Sequence, residues 1–169
     1  MALFSSLAMT ASANLTVGSA LGTASAPVAI SRSVTLGSGT GAGQADRIFT
    51  DRRTLAASAT ADLDLAGVLV DDFGQTVTFA RVKGLLIAAS EENTNNVVIG
   101  AASANAWAAL LNSAGTLALR PGASVALMAG QADATAYGVT ASTGDLLKVA
   151  NSGAGSSVSY DIVIIGASA

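Results

Sequence analysis

Four aspartates are the side chains whose type and spacing come nearest to a recognisable chemical site. Asp62 and Asp64 stand two residues apart, and Asp71 and Asp72 follow soon after them. Carboxylate oxygens suit calcium, but a calcium loop packs several of them into about a dozen residues around an internal glycine. Here the intervening segment, Leu65–Val70, is apolar. We therefore predict a solvated strand face and a turn, with no metal site.

The adjacent pair Glu91 and Glu92 is the other carboxylate grouping, and paired carboxylates are what glycoside hydrolysis requires. Neighbouring residues of an extended segment point to opposite faces, so these two cannot act together on one bond. Only 4% of the residues are aromatic, and sugar-binding clefts usually need stacking rings. An enzyme acting on polysaccharide would instead need two carboxylates ~5–10 Å apart in a cleft.

The remaining routes to catalysis lack their central residues. The chain has no histidine and no cysteine, so a serine nucleophile would depend on a lysine base. The two lysines, Lys83 and Lys148, do not complete a Ser-x-x-Lys motif. The loop Gly37–Gly43 resembles a phosphate-binding loop but lacks its Gly-Lys-Ser/Thr ending. We predict a flexible connector there, no catalytic residues, no cofactor and no enzyme activity.

The composition limits the partners. The 169 residues carry a net charge of −3, and the basic residues are scattered, which argues against nucleic acid as a partner. The chain contains no unbroken apolar run of ~20 residues, so we predict no membrane insertion. Charged residues are 11% of the chain, against about 25% in a typical soluble domain. Burial of surface in an assembly and codon bias in a GC-rich genome both remain explanations.

The elements that position these residues read as short strands. Residues alternate between apolar and polar along Val28–Leu36 and Asp62–Leu65, which is the period of a half-buried strand. The closing segment, Val158–Ile165, is apolar on both faces, as expected of a central strand. Asp71–Gly74 predicts a turn. Eight or more strands at roughly 8–12-residue spacing predict an all-β sandwich or barrel.

Two further segments give predictions that a structure can test. Pro121-Gly122 is the signature of a type II turn, so we predict that Thr116–Leu119 and Ser124–Met128 form a hairpin. Ala104–Leu111 looks helical because it holds Ala, Leu and Trp without β-branched residues. It is equally compatible with a loop that places Trp107 in a pocket.

The first part of the chain differs from the rest. Residues 1–45 are rich in Gly, Ser and Ala and predict an extended arm with one or two strands, whereas 46–169 predict the β-sandwich domain. Such an arm can add a strand to a partner's sheet edge. We predict an interface at five residues, although for Trp107 the role of a core or loop plug is favoured over that of an anchor. They are Val28, Ile30, Arg32, Trp107 and Leu110.

Two stretches carry a family resemblance. Gly41–Gly67, GAGQADRIFTDRRTLAASATADLDLAG, and Asp145–Ser168, DLLKVANSGAGSSVSYDIVIIGAS, resemble small proteins encoded among the virion genes of tailed bacteriophages. The resemblance runs from about residue 28 to the C-terminus. It implies a jelly-roll-like β-sandwich that decorates the head as a cement protein, commonly a trimer at local threefold positions of the capsid.

On this resemblance the expected partners are the major capsid protein and further copies of the chain itself. The expected location is the capsid surface of the virion, after synthesis in the cytoplasm of the host bacterium. The alternative is a tail or receptor-binding module, such as a fibre or spike. That alternative expects exposed aromatic residues in loops at one end of the sandwich, with Trp107, Tyr137 and Phe73 as candidates.

Overall fold

The computed structural model describes residues 2–169, and over that range the chain is all-β, with fourteen strands and no helix. The described residues accordingly include no helix with the length and apolar character to span a membrane. In chain order the strands are β1 (Ser5–Ser19), β2 (Gly22–Ser38), β3 (Gln44–Ala45), β4 (Arg47–Leu55), β5 (Thr60–Asp64), β6 (Leu69–Val70), β7 (Thr76–Val77), β8 (Arg81–Ala89), β9 (Val97–Gly100), β10 (Thr116–Leu119), β11 (Ser124–Met128), β12 (Tyr137–Gly138), β13 (Leu146–Asn151) and β14 (Val158–Ala167).

Two antiparallel sheets form the body of the fold. One has the order β11-β8-β14-β4, with β12 also paired to β8, and the other has the order β10-β9-β13-β5. The strands pair in a nested way: β4 with β14, β5 with β13, β8 with β11, and β9 with β10. The first and last strands of the body therefore lie side by side.

The inner faces of the two sheets share one hydrophobic core. In β14, Tyr160, Ile162 and Ile164 are at most 1% exposed, and in the other sheet Ile99 and Val149 are fully buried. Burying side chains of this size stabilises a fold by about 1.5–3 kcal/mol each. The central position of β14, which its two-sided apolar pattern predicts, is confirmed.

The first two strands form a long hairpin. β1 pairs antiparallel with β2 from Ser5 opposite Leu36 to Ser19 opposite Gly22, and Ala20-Leu21 form the tip. We call residues 5–38 the arm. Only its base meets the body, because Val34 and Leu36 are its buried residues and everything from Ala8 to Ser33 is exposed. The assignment of residues 1–45 and 46–169 to an arm and a domain stays a prediction, and Met1 lies outside the described residues.

One local prediction is wrong. Thr116–Leu119 and Ser124–Met128 do not pair with each other, because the first pairs with β9 and the second with β8 in the opposite sheet. The predicted turn does exist, since the amide of Ala123 donates to the carbonyl of Arg120 at 2.8 Å. It connects the two sheets instead of closing a hairpin.

The segment 104–111 is the loop and not the helix of our two alternatives. It contains turns, bends and a single bridge between Ala106 and Leu146. Trp107 inserts from it into the core and is 5% exposed. Helix propensity is a weak preference that tertiary packing readily overrides, and here burial of the indole ring decides the conformation.

Candidate functional site

The arm has one apolar face and one polar face. In an antiparallel pair, residues directly opposite each other share a face, and successive residues alternate between faces. Odd-numbered residues of β1 therefore share a face with even-numbered residues of β2. Beyond the base, this apolar arm face consists of Met9, Ala11, Ala13, Leu15, Val17, Ala24, Ala26, Val28 and Ile30, with Arg32 opposite Met9.

The opposite side of the hairpin, the polar arm face, carries mostly hydroxyl and amide side chains that are exposed to solvent. It consists of Thr10, Ser12, Asn14, Thr16, Thr23, Ser25, Pro27, Ala29 and Ser31. Two hydrogen bonds cross it: the hydroxyls of Thr10 and Ser31 lie 3.1 Å apart, and Ser25 Oγ donates to Asn14 Oδ1 at 2.8 Å. Cross-strand polar pairs of this kind stabilise a sheet face. The two sides of the arm are thus chemically distinct over its whole length.

The apolar arm face is uncovered beyond the base. Leu15 is 70% exposed, Val28 61% and Ile30 57%, and Leu21 at the tip is fully exposed. Large contiguous apolar surfaces on a soluble protein usually mark interaction sites. A two-stranded hairpin is also marginally stable in water without further packing. The arm therefore presents a surface that gains stability when another surface covers it.

The base of the arm fixes its attachment. Val34 and Leu36 pack with Ala45 and Ile165 in a second hydrophobic cluster on the outer side of the β8–β14 sheet. Leu7 joins this cluster and lies against Gly84. The same apolar stripe thus begins as a packed joint on the body and continues outward as an exposed face.

A buried lysine supports this joint. Lys83 occupies a β-bulge in β8, where Gly84 pairs with Ile165 and Val82 with Gly166. Its ammonium donates to the carbonyl of Gly41 in the glycine-rich loop at the arm's base, and the residue is 1% exposed. Burial lowers the pKa of Lys83, and the nearby Arg81 lowers it further. The loop Gly37–Gly43 is therefore anchored to a cation of the body through the Gly41 carbonyl.

The predicted interface residues separate into two places. Val28, Ile30 and Arg32 all lie on the exposed apolar arm face. Trp107 belongs to the core of the body, where its Nε1 donates to the carbonyl of Gly138 at 2.8 Å, and Leu110 packs half-buried against the same core. The plug role, one of the two alternatives for Trp107, is the one that its burial supports.

Sequence reasoning missed most of the apolar arm face. Leu15 and Val17 lie in β1, and only the pairing of β1 with β2 shows which face they share with Val28 and Ile30. The available signal was the alternation Leu7, Met9 and onward at odd positions. Small residues at 11 and 13 weaken that signal, because alanine and serine have similar size and little preference for either face.

The aspartates predicted to be surface and turn residues have those roles. Asp71 Oδ1 accepts from the amides of Phe73 and Gln75 at 2.9 and 2.8 Å, which closes the turn between β6 and β7. Asp64 Oδ1 accepts from the amide of Ala66 at 2.9 Å. Among the described residues no three acidic side chains come together in a way that would hold a metal ion.

One open hollow of about 380 Å³ contains carboxylates. It is lined by Arg52, Glu92, Tyr160 and Asp161 among others. Arg52 donates to both oxygens of Asp161, at 2.6 and 2.8 Å. Its hydrogen bonds hold the pKa of Asp161 below the ordinary value. Asp161 is therefore ionised at neutral pH and is not suited to act as a general acid there.

Comparison with protein-family models, curated proteins and solved structures gives no match for this chain.

Proposed function

We propose that the protein is a structural component of a bacteriophage virion: a capsid decoration protein of jelly-roll type that binds the head shell and stabilises it as a homo-oligomer. The observation that carries the proposal is the arm, a long hairpin with one uncovered apolar face projecting from a compact β body. Such a feature serves contact with another protein surface and has no evident use in turning over a small molecule.

The nested strand pairing supports the jelly-roll part of the proposal. A jelly roll is a long antiparallel hairpin wrapped into two sheets, so its eight strands pair first with last, second with second-last, and so on inward. The pairs β4–β14, β5–β13, β8–β11 and β9–β10 follow that rule. Viral capsid proteins are among the proteins that use this architecture.

The composition supports the assembly part. A shell-binding protein works through area and shape, and many weakly bound copies on one shell act together through multivalency. A surface with few charges and many small side chains suits close approach of backbones. The partners on this proposal are the major capsid protein and the chain itself, and the resemblance described above implies a trimer on the capsid surface.

Particles made with and without this chain test the proposal. We expect both to assemble, and we expect the particles without it to release DNA at a lower temperature or on chelation. Adding back the purified chain should restore the resistance. Equal resistance of the two kinds of particle contradicts the cementing role.

Antibody labelling of intact particles distinguishes the alternative. Label over the head supports a decoration protein, and label on the tail supports a tail or receptor-binding module. The structure already weakens one expectation of that module, because Trp107 is buried and Tyr137 half-buried, leaving Phe73, 71% exposed, as the exposed member of the three predicted aromatic residues.

A further inference from the structure

We propose that the apolar arm face binds the same face of a second copy of the chain, so that two arms lie antiparallel, face to face, about a two-fold axis. The inference rests on the proposed function in one respect, the self-association of the chain, and it replaces the trimer that the resemblance implies with a two-fold dimer. It does not depend on whether the assembly decorates a capsid.

The first argument is complementarity. The exposed part of the face is an apolar strip two strands wide, and it runs from Met9 to the tip. At about 3.3 Å per residue, its length is about 35 Å. An identical strip on a second copy matches it in length, width and chemistry. A two-fold contact needs a self-complementary surface of this kind.

The second argument is area. Two strands about 4.8 Å apart and about 35 Å long, with side chains standing off the sheet, give two facing arms a buried accessible surface on the order of 1,000 Å². A specific protein interface needs about that much. Pairing also covers Leu15, Val17, Val28 and Ile30 together, and it turns a marginal two-stranded hairpin into a four-stranded, two-layer unit.

The third argument is charge, and it fixes the direction. Arg32 is the arm's one charged side chain, and it lies on the apolar face near the base. Parallel arms would bring the two Arg32 side chains together. Antiparallel arms place them at opposite ends, about 30 Å apart by strand length, well beyond the ~8 Å over which salt screens charges. The antiparallel arrangement avoids the repulsion and buries only apolar groups at its centre.

The mass of the full chain in solution tests the contact. We expect the protein to be a dimer in sedimentation and light-scattering measurements at high micromolar concentration. The double variant Leu15→Asp/Val28→Asp, which places charges on the apolar face, should be a monomer. The matched variant Thr16→Asp/Ala29→Asp adds the same charge to the polar face and should remain a dimer. A wild-type monomer, a trimer, or an equal effect of both variants overturns the proposal.

Site-specific cross-linking tests the geometry. The chain has no cysteine, so a single introduced thiol reports without background. Ala13 lies near the middle of the exposed strip, so Ala13→Cys places two thiols near the two-fold axis. Packed sheets lie about 10 Å apart, too far for a direct disulfide, so a short bis-maleimide is the probe.

We expect the cross-linker to give covalent dimers for Ala13→Cys and none for Ser12→Cys, on the polar face. Cross-linking of both variants alike, or of neither, contradicts face-to-face pairing. The result also separates the two proposals. If the chain forms dimers but adding them leaves capsids as fragile as before, the virion role is contradicted and the arm contact is supported. If the chain is a monomer and still protects capsids, the arm contact is contradicted and the virion role is supported.

Discussion

Leu7 of the arm packs directly over the α-carbon of Gly84 in β8. A β-carbon on Gly84 would overlap Leu7 Cδ2 and come within 3.1 Å of Cδ1. Val34, Leu36 and Ile165 surround this contact and complete the joint. The absence of a side chain at position 84 therefore lets the arm sit close on the body, and the joint sets the direction in which the apolar arm face projects.

Gly84→Val should loosen this joint without unfolding the body. The added methyl groups displace Leu7 and its neighbours, and overpacking of this kind costs about 1–3 kcal/mol. The core between the two sheets lies on the other side of β8 and keeps its packing. Limited proteolysis measures the effect, as faster cleavage within residues 5–38 and an unchanged, resistant body fragment.

The control for this variant is Gly138→Val, because a β-carbon at Gly138 would meet no atom within 4 Å. It should leave cleavage of the arm at the wild-type rate. An equal increase in both variants would mean that the arm is released for reasons unrelated to its contact at Gly84.

Gly166→Ala should destabilise the body more than any other glycine-to-alanine change near the arm. Gly166 lies beside the bulge in the β8–β14 pairing, where an added β-carbon would overlap the carbonyl of Arg81 and lie 2.7 Å from Phe79 Cδ1. Backbone cannot move aside as the end of a side chain can, so we expect a loss of about 2–3 kcal/mol in the free energy of unfolding. Chemical denaturation followed by Trp107 fluorescence measures it, and Gly130→Ala, with open space around it, is the control.

The hydrogen bonds of Asn151 should contribute substantially to the free energy of unfolding. It is 5% exposed, and its Nδ2 donates to the carbonyls of Ala56 and Ser156 at 3.0 and 2.8 Å. Its Oδ1 accepts from Asn95 Nδ2 at 3.0 Å. Asn151→Ala leaves all of these groups without that partner, at a cost of about 2–4 kcal/mol. Denaturant titration against Asn14→Ala, an exposed arm residue, provides the comparison, and equal losses would contradict a structural role for the network.

The sequence predicts the faces of strands better than it predicts their partners. Alternation places Leu63 and Leu65 inside, and both are buried. The aspartate-rich turn also forms as predicted, with a positive φ of 77° at Gly74. These features depend on residues that are close in sequence. The hairpin predicted around Pro121-Gly122 fails because turn chemistry fixes a local reversal, whereas the sheets that its two strands join are set by distant residues.

The apolar arm face is only partly predictable from the sequence, because it too depends on which strands pair. Val28, Ile30 and Arg32 alternate with polar residues, so a face can be predicted there. The matching positions on β1 are mostly alanine, and the pairing that brings Ala13 opposite Val28 is a property of the folded hairpin. Trp107 illustrates a different limit, since a tryptophan among small residues is compatible with an anchor or with a core plug until its burial is known.

Tyr160 should make the fold sensitive to alkali. Burial raises the pKa of Tyr160 to about 12, and within residues 2–169 its hydroxyl meets no hydrogen-bond partner. In the unfolded chain a tyrosine ionises near pH 10. Because the folded pKa is the higher one, the stability that the neutral phenol contributes is complete below pH 10 and is lost as the pH rises through about 12.

The test compares wild type with Tyr160→Phe. The substitution removes a buried hydroxyl that has no partner, so at pH 7 we expect the free energy of unfolding to be unchanged or higher by up to about 1 kcal/mol. Between pH 10 and 12 the wild type should lose up to about 1.4 kcal/mol per pH unit relative to the variant. The lowered pKa of Lys83 has the opposite effect, because its contribution to stability increases as the pH rises towards the ordinary lysine value of 10.5. Lys83 is present in both proteins, so this contribution cancels in the stability difference between them. A variant that is several kcal/mol less stable at pH 7 would show that the hydroxyl has a partner, and an unchanged difference across the alkaline range would show that the pKa of Tyr160 is not raised.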